Sequence, residues 1–197
     1  MARESLKKLA TADEQESKYR VALGEIGNWQ AELLAERGEY DRAIALLQDS
    51  AVQFRNLLSE SRGGVSDVVA GRQDSNLFRK GLATTLNRLA EAQSGAGLIE
   101  KSRDTVEDAA TIWSSLVASD KDRPDYLSGR AASLLNLMAA EGYLGHEDQE
   151  LVACDGAIDD YRALVDVTGD VPRHRLNLGL TVVNLARVNN RLGNNLS

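Results

Sequence analysis

FRKGLATTLNRLAEAQSGAGLIEKSRDTVEDAATIWSSLV, residues Phe78 to Val117, decides how the rest of the chain is read. Leu82, Leu86, Leu89 and Ala90 recur at three- and four-residue steps, which places them on one face of a helix. The pattern breaks at Ser94–Gly97 and restarts with Val106, Ala109, Ala110, Trp113, Leu116 and Val117. Two amphipathic helices folded back on each other at a glycine turn are predicted.

Copies of this hairpin lie on both sides of it. Tyr19, Phe78, Tyr126 and His174 mark successive starts, at intervals of 59, 48 and 48 residues. Nineteen residues after each marker stands a glycine, namely Gly38, Gly97, Gly145 and Gly193. Glycine is the least costly residue in the left-handed conformation that ends a helix, so a turn is expected at each. Before the glycine, Leu86, Leu134 and Val182 align, as do Leu89, Leu137 and Leu185, and the mostly small set Ala31, Ala90, Met138 and Ala186. After it come Leu47, Val106 and Cys154, then Ser50, Ala109 and Ala157, the aromatics Phe54, Trp113 and Tyr161, and finally Leu57, Leu116 and Leu164. Pro124 and Pro172 each precede a marker by two residues and suit the first turn of a new helix.

The units are therefore helix pairs of about 48 residues. Residues 19–77 form the first, with an insertion of 11 residues inside Ser59 to Asn76; 78–125 and 126–173 are the second and third. Residues 174–197 supply the first helix of a fourth. Residues 1–18 read as the end of a preceding repeat helix plus a linker, because Leu6, Leu9 and Ala10 match Trp113, Leu116 and Val117. The chain is thus expected to be a segment of a longer array, or a shortened version of one, with a lone last helix packed as a cap as the alternative.

Composition agrees with an all-α chain. Of 197 residues, 43% are hydrophobic but only 5% aromatic, and Leu, Ala, Glu and Arg dominate over strand-forming clusters. The net charge of −7 is spread along the chain, with no basic stripe of the kind nucleic acid requires. Cys154 is the one cysteine, so neither an intrachain disulfide nor a cysteine zinc cluster can form. No run of about 18 apolar residues is present to span a membrane. The N-terminus lacks the apolar core of a signal peptide, and a cytoplasmic setting is expected.

These columns resemble the tetratricopeptide (TPR) repeat over nearly the whole chain. Leu89-Ala90, Gly97, Ser102, Val106 and Ala109 fit its pattern, as do Gly38, Ala43, Leu47 and Ser50, and Leu137, Gly145, Cys154 and Ala157. Gly27, Leu86, Leu134 and Val182 replace the motif's early Trp, and Leu34, Gln93, Glu141 and Asn189 replace its Tyr. Glu150 occupies a usually small position, and the unit exceeds the standard 34 residues. The longer unit with its Tyr/Phe-Arg start is similar to TPR arrays attached to some large bacterial serine/threonine kinases. The resemblance implies a right-handed superhelix, an α-solenoid of antiparallel helix pairs, with a signalling or scaffold role.

Catalytic chemistry is not expected. The Gly-rich loop, HRD and DFG motifs of a protein kinase are missing from the sequence. His146 and His174 fall in different units without a metal-binding spacing, and no phosphate loop accompanies Gly63-Gly64 or the Ser94–Gly97 turn. Glu32 with Glu36, and Asp159 with Asp160, read as solvated helix faces rather than acid–base pairs. Cys154 and the Phe54, Trp113 and Tyr161 column read as core. No catalytic residue, metal site or cofactor is assigned.

Binding is expected on the first helices, which in a stacked array line the concave surface. The TPR comparison implies a partner-facing column of Trp29, Arg88, Asn136 and Asn184, with Asn28, Asn87 and Arg187 adjacent, joined by Glu32, Glu91 and Arg191; the alternative for Trp29 is packing against the incoming helix of residues 3–10. An Asn side chain can both donate to and accept from a peptide backbone. Glu32 and Ala132 stand where a carboxylate-clamping TPR groove would want Lys or Asn, which argues against a chaperone-tail receptor. The expected partner is a protein or peptide, with neither nucleic acid nor membrane insertion. Self-association through open repeat ends, and a docking role within a larger enzyme such as a kinase, are the alternatives.

Overall fold

A computed structural model describes residues 16–61, 68–169, 171–191 and 193. The segment around Leu6 and Leu9, and the centre of the insertion after Ser61, lie outside these residues. Seven helices account for most of the described chain, and no strand occurs among the described residues. They are α1 (Glu16–Glu36), α2 (Tyr40–Ser61), α3 (Val68–Gly95), α4 (Ile99–Ser119), α5 (Pro124–Leu144), α6 (Glu147–Thr168) and α7 (Pro172–Arg191). Proline opens α5 and α7, where its missing N–H is one of the unpaired helix-start donors in any case.

The recurring glycines end helices as their spacing predicts. Gly38, Gly97, Gly145 and Gly193 have φ of 75°, 77°, 76° and 71°. At two of them the turn is a Schellman motif. Gly38 donates to Ala35 O while Glu39 donates to Leu34 O, and Gly145 donates to Gly142 O while His146 donates to Glu141 O.

The chain divides into two compact units at Gly97. In the first, α1 and α2 pack as a hairpin, α3 packs on α2, and α1 also touches α3. The Phe54 ring on α2 fills the space that two glycines leave. A Cβ on Gly24 of α1 would stand 2.6 Å from the ring, and one on Gly81 of α3 2.3 Å from it. The helices approach there because no side chain separates them from the aromatic.

In the second unit α4 packs on α5, α5 on α6 and α6 on α7. Trp113 of α4 sits over Gly129 of α5, where a Cβ would lie 2.5 Å from the indole. Tyr126 packs against Trp113 in a tilted arrangement with ring centroids 6.3 Å apart, and the Arg123 guanidinium lies 4.8 Å above the Tyr126 ring. The second-helix columns foreseen from spacing are buried throughout, including Leu47, Val106 and Cys154, and Phe54, Trp113 and Tyr161.

One buried column has no apolar signature. Thr85, Ser133 and Thr181 stand at the same repeat position, and each hydroxyl donates to the carbonyl four residues earlier, of Gly81, Gly129 and Asn177. This back-bonding gives each hydroxyl proton an acceptor within its own helix.

Candidate partner-binding surface

In the first unit the expected column separates into an exposed and a buried part. Trp29 is 59% exposed and Leu33, one turn on, is 57% exposed. Both project from α1 on the same face as Glu32. Arg88 of α3 reaches across to form an ion pair with Glu32, and its Nη1 also lies 3.4 Å from Asn28 O. This brings Trp29, Leu33, Glu32 and Arg88 onto one surface.

Asn28 and Asn87 do not join it. Both are buried, and the Asn28 amide donates to Thr85 Oγ1 at 2.9 Å, tying α1 to α3. Asparagine at these two positions is therefore a core residue with internal polar contacts. The spacing that placed them beside Trp29 and Arg88 could not distinguish a neighbour on the exposed face from one turned toward the next helix.

In the second unit Asn136 on α5 and Asn184 on α7 are half-buried, and Arg187 on α7 is exposed. Arg191 is committed to the buried Glu150 carboxylate of α6. The face of α7 that includes Arg187 also exposes Leu176, Leu180 and Val183. These three apolar residues were not singled out from sequence. The signal available for them was three- and four-residue spacing in a helix with arginines near both ends.

The remaining polar side chains make contacts within and between helices. His146 Nδ1 lies 2.5 Å from the Glu141 carboxylate, and His174 Nδ1 lies 2.8 Å from Thr168 Oγ1. Arg130 of α5 grips the buried Asp160 of α6 through Nε and Nη2, and this pairing raises the guanidinium pKa. Burial pushes the Cys154 thiol up to about 11, aided by the nearby charges of Asp155 and Glu150. A thiol so shifted is a poor source of thiolate. Among the described residues no group of three or more His, Cys, Asp or Glu is placed to hold a metal ion. No described helix is long and apolar enough to cross a membrane.

The fold defines a class, an all-helical chain of repeat-like helix pairs in which consecutive helices pack on one another within each unit. No protein-family model matches the chain, and no curated protein matches it.

Proposed function

We propose that this chain is a non-catalytic protein-interaction module of TPR-like character, working in the cytoplasm as a scaffold that takes a peptide or helix of a partner. Partner contact is made on the exposed faces of first helices, with Trp29 as the anchor in the first unit. The observation that carries this reading is the exposure of Trp29 beside Leu33. A large aromatic left in water is unfavourable for the isolated chain, whereas Trp is among the residues that contribute most at interfaces. The Arg88–Glu32 pair borders the aromatic and supplies one charge of each sign to orient a ligand. Asn184 and Arg187 offer polar contacts on α7, and Asn136 does so on α5.

A pull-down with quantitative detection tests the assignment. Trp29→Ala is expected to weaken capture of the proteins that wild type retains by about 30-fold, the equivalent of roughly 2 kcal/mol for an interface aromatic. Arg88→Glu, which sets two acids side by side with Glu32, is expected to act in the same direction. Capture left unchanged by both substitutions overturns the reading.

A further inference from the structure

Helices α1 and α7 expose faces of similar construction and opposite charge. On α1, Glu25, Trp29, Leu33 and Glu36 follow one another at steps of three and four residues, and all are exposed. On α7 the sequence along one face is Arg173, Leu176, Leu180, Val183 and Arg187, again all exposed, with the apolar three at 61%, 55% and 55%. Helix α7 contains Arg173, Arg175, Arg187 and Arg191 and no acidic residue. Each face is thus an apolar centre bracketed by charge, basic on α7 and acidic on α1, where Arg88 and Glu32 at the margin offset each other.

We infer that α7 of one copy docks on the α1 face of a second copy, so that the chains associate head to tail. This rests on the reading of the Trp29 face as a partner surface, and it names the partner. At about 1.5 Å rise per residue, Glu25 and Glu36 stand roughly 16 Å apart and Arg173 and Arg187 roughly 21 Å. The mismatch, about 2–3 Å at each end, is within the reach of an arginine side chain. Gly179 lies between the leucines with nothing within 4 Å of where its Cβ would be. That notch gives the Trp29 indole a place against the α7 backbone.

A basic amphipathic helix also suits an anionic lipid surface. Helix α7 has no aromatic residue to seat at such a surface. The neighbouring α6 presents exposed Glu147, Asp148, Asp155, Asp159 and Asp166, which anionic lipid would repel. A broad anionic membrane would meet these acids together. A single helix with a glutamate at each end of its apolar centre can lie along α7 alone, so an acidic helix face is the better match. Because the two faces differ, the contact is heterologous, and it propagates into rings or filaments instead of closing as a two-fold dimer.

Sedimentation velocity on the full chain, from low micromolar to near-millimolar concentration in low and high salt, tests this. Wild type is expected to grow in mass with concentration past the dimer, and less so in high salt, which screens the arginine–glutamate pairs. Trp29→Asp and Leu180→Asp, both at exposed helical positions, are each expected to be monomeric. An equimolar mixture of the two should form a dimer and nothing larger, because each protein keeps the face the other has lost. A second set leaves the apolar residues intact. Arg173→Glu/Arg187→Glu should weaken association at least ten-fold, and mixing with Glu25→Arg/Glu36→Arg protein should restore it. A concentration-independent wild-type monomer overturns the inference, as does a monomer that floats with phosphatidylserine vesicles through Leu180. Association lost in Leu180→Asp but retained in Trp29→Asp means α7 pairs with something other than α1 and overturns it too. A monomeric wild type whose partner capture still depends on Trp29 overturns the second copy alone. Self-association indifferent to Trp29→Asp removes the support for the Trp29 surface as well.

Discussion

At the scale of single residues, three glycines of the chain are constrained for different reasons. Gly129 faces the Trp113 indole, so a methyl group there must displace a large ring in a packed core. Gly129→Ala is expected to cost about 1–3 kcal/mol in urea denaturation, the range for overpacking. Gly97 has open space around it but a φ of 77°, so Gly97→Ala is expected to cost about 1–2 kcal/mol through backbone strain alone. Gly179 has neither restriction, and Gly179→Ala should stabilise α7 by about 0.5–1 kcal/mol. The ordering of the three separates contact from backbone conformation.

Cys154 gives a residue-scale prediction with a definite sign. Its folded pKa is raised from 9.0 to about 11, so folding favours the neutral thiol. The stability this contributes is fully present below pH 9 and is lost as pH rises toward about 11. Burial raises the Tyr161 pKa as well, so both groups weaken the fold in alkali. Denaturation measured across that window should show a shallower decline for Cys154→Ala than for wild type. At pH 8 a thiol reagent should label the native protein far more slowly than the urea-unfolded chain.

At the scale of elements, charged ties join the helices of the second unit. The Arg130–Asp160 fork links α5 to α6, and Glu150–Arg191 links α6 to α7. Asp160 is almost fully buried, so removing Arg130 would strand a carboxylate in the interior. Arg130→Met is expected to destabilise by about 2–4 kcal/mol, and Arg130→Met with Asp160→Leu to recover most of that loss. A double mutant no more stable than the single one would show that the tie contributes through packing rather than charge. Glu150 illustrates how a local exception is accommodated. Its column elsewhere holds Ala43 and Ser102, yet the carboxylate fits because Gly142 faces it, where a Cβ would stand 2.8 Å from Oε1. The departure from small residues is offset by a glycine on α5 and a cation on α7.

At the scale of the whole molecule, periodicity alone determined the helical class, the glycine turns and the second-helix core columns. Helix period and the left-handed preference of glycine are properties of the local chain, so Leu47, Phe54, Trp113 and Gly145 could be placed without any tertiary contact. Only the tertiary structure decided which polar residues face water. Asn28 and Asn87 are adjacent in sequence to Trp29 and Arg88, but a rotation of about 100° per residue turns both into the interior, Asn28 into the packing between α1 and α3. The Thr85, Ser133 and Thr181 column was hidden for the same reason, since a buried hydroxyl satisfied by its own helix resembles a surface hydroxyl in sequence. The exposed α7 stripe of Leu176, Leu180 and Val183 carries no mark of its own in the sequence, because spacing specifies a face and says nothing of what covers it. Burial is a relation between helices, and it is fixed only when they pack.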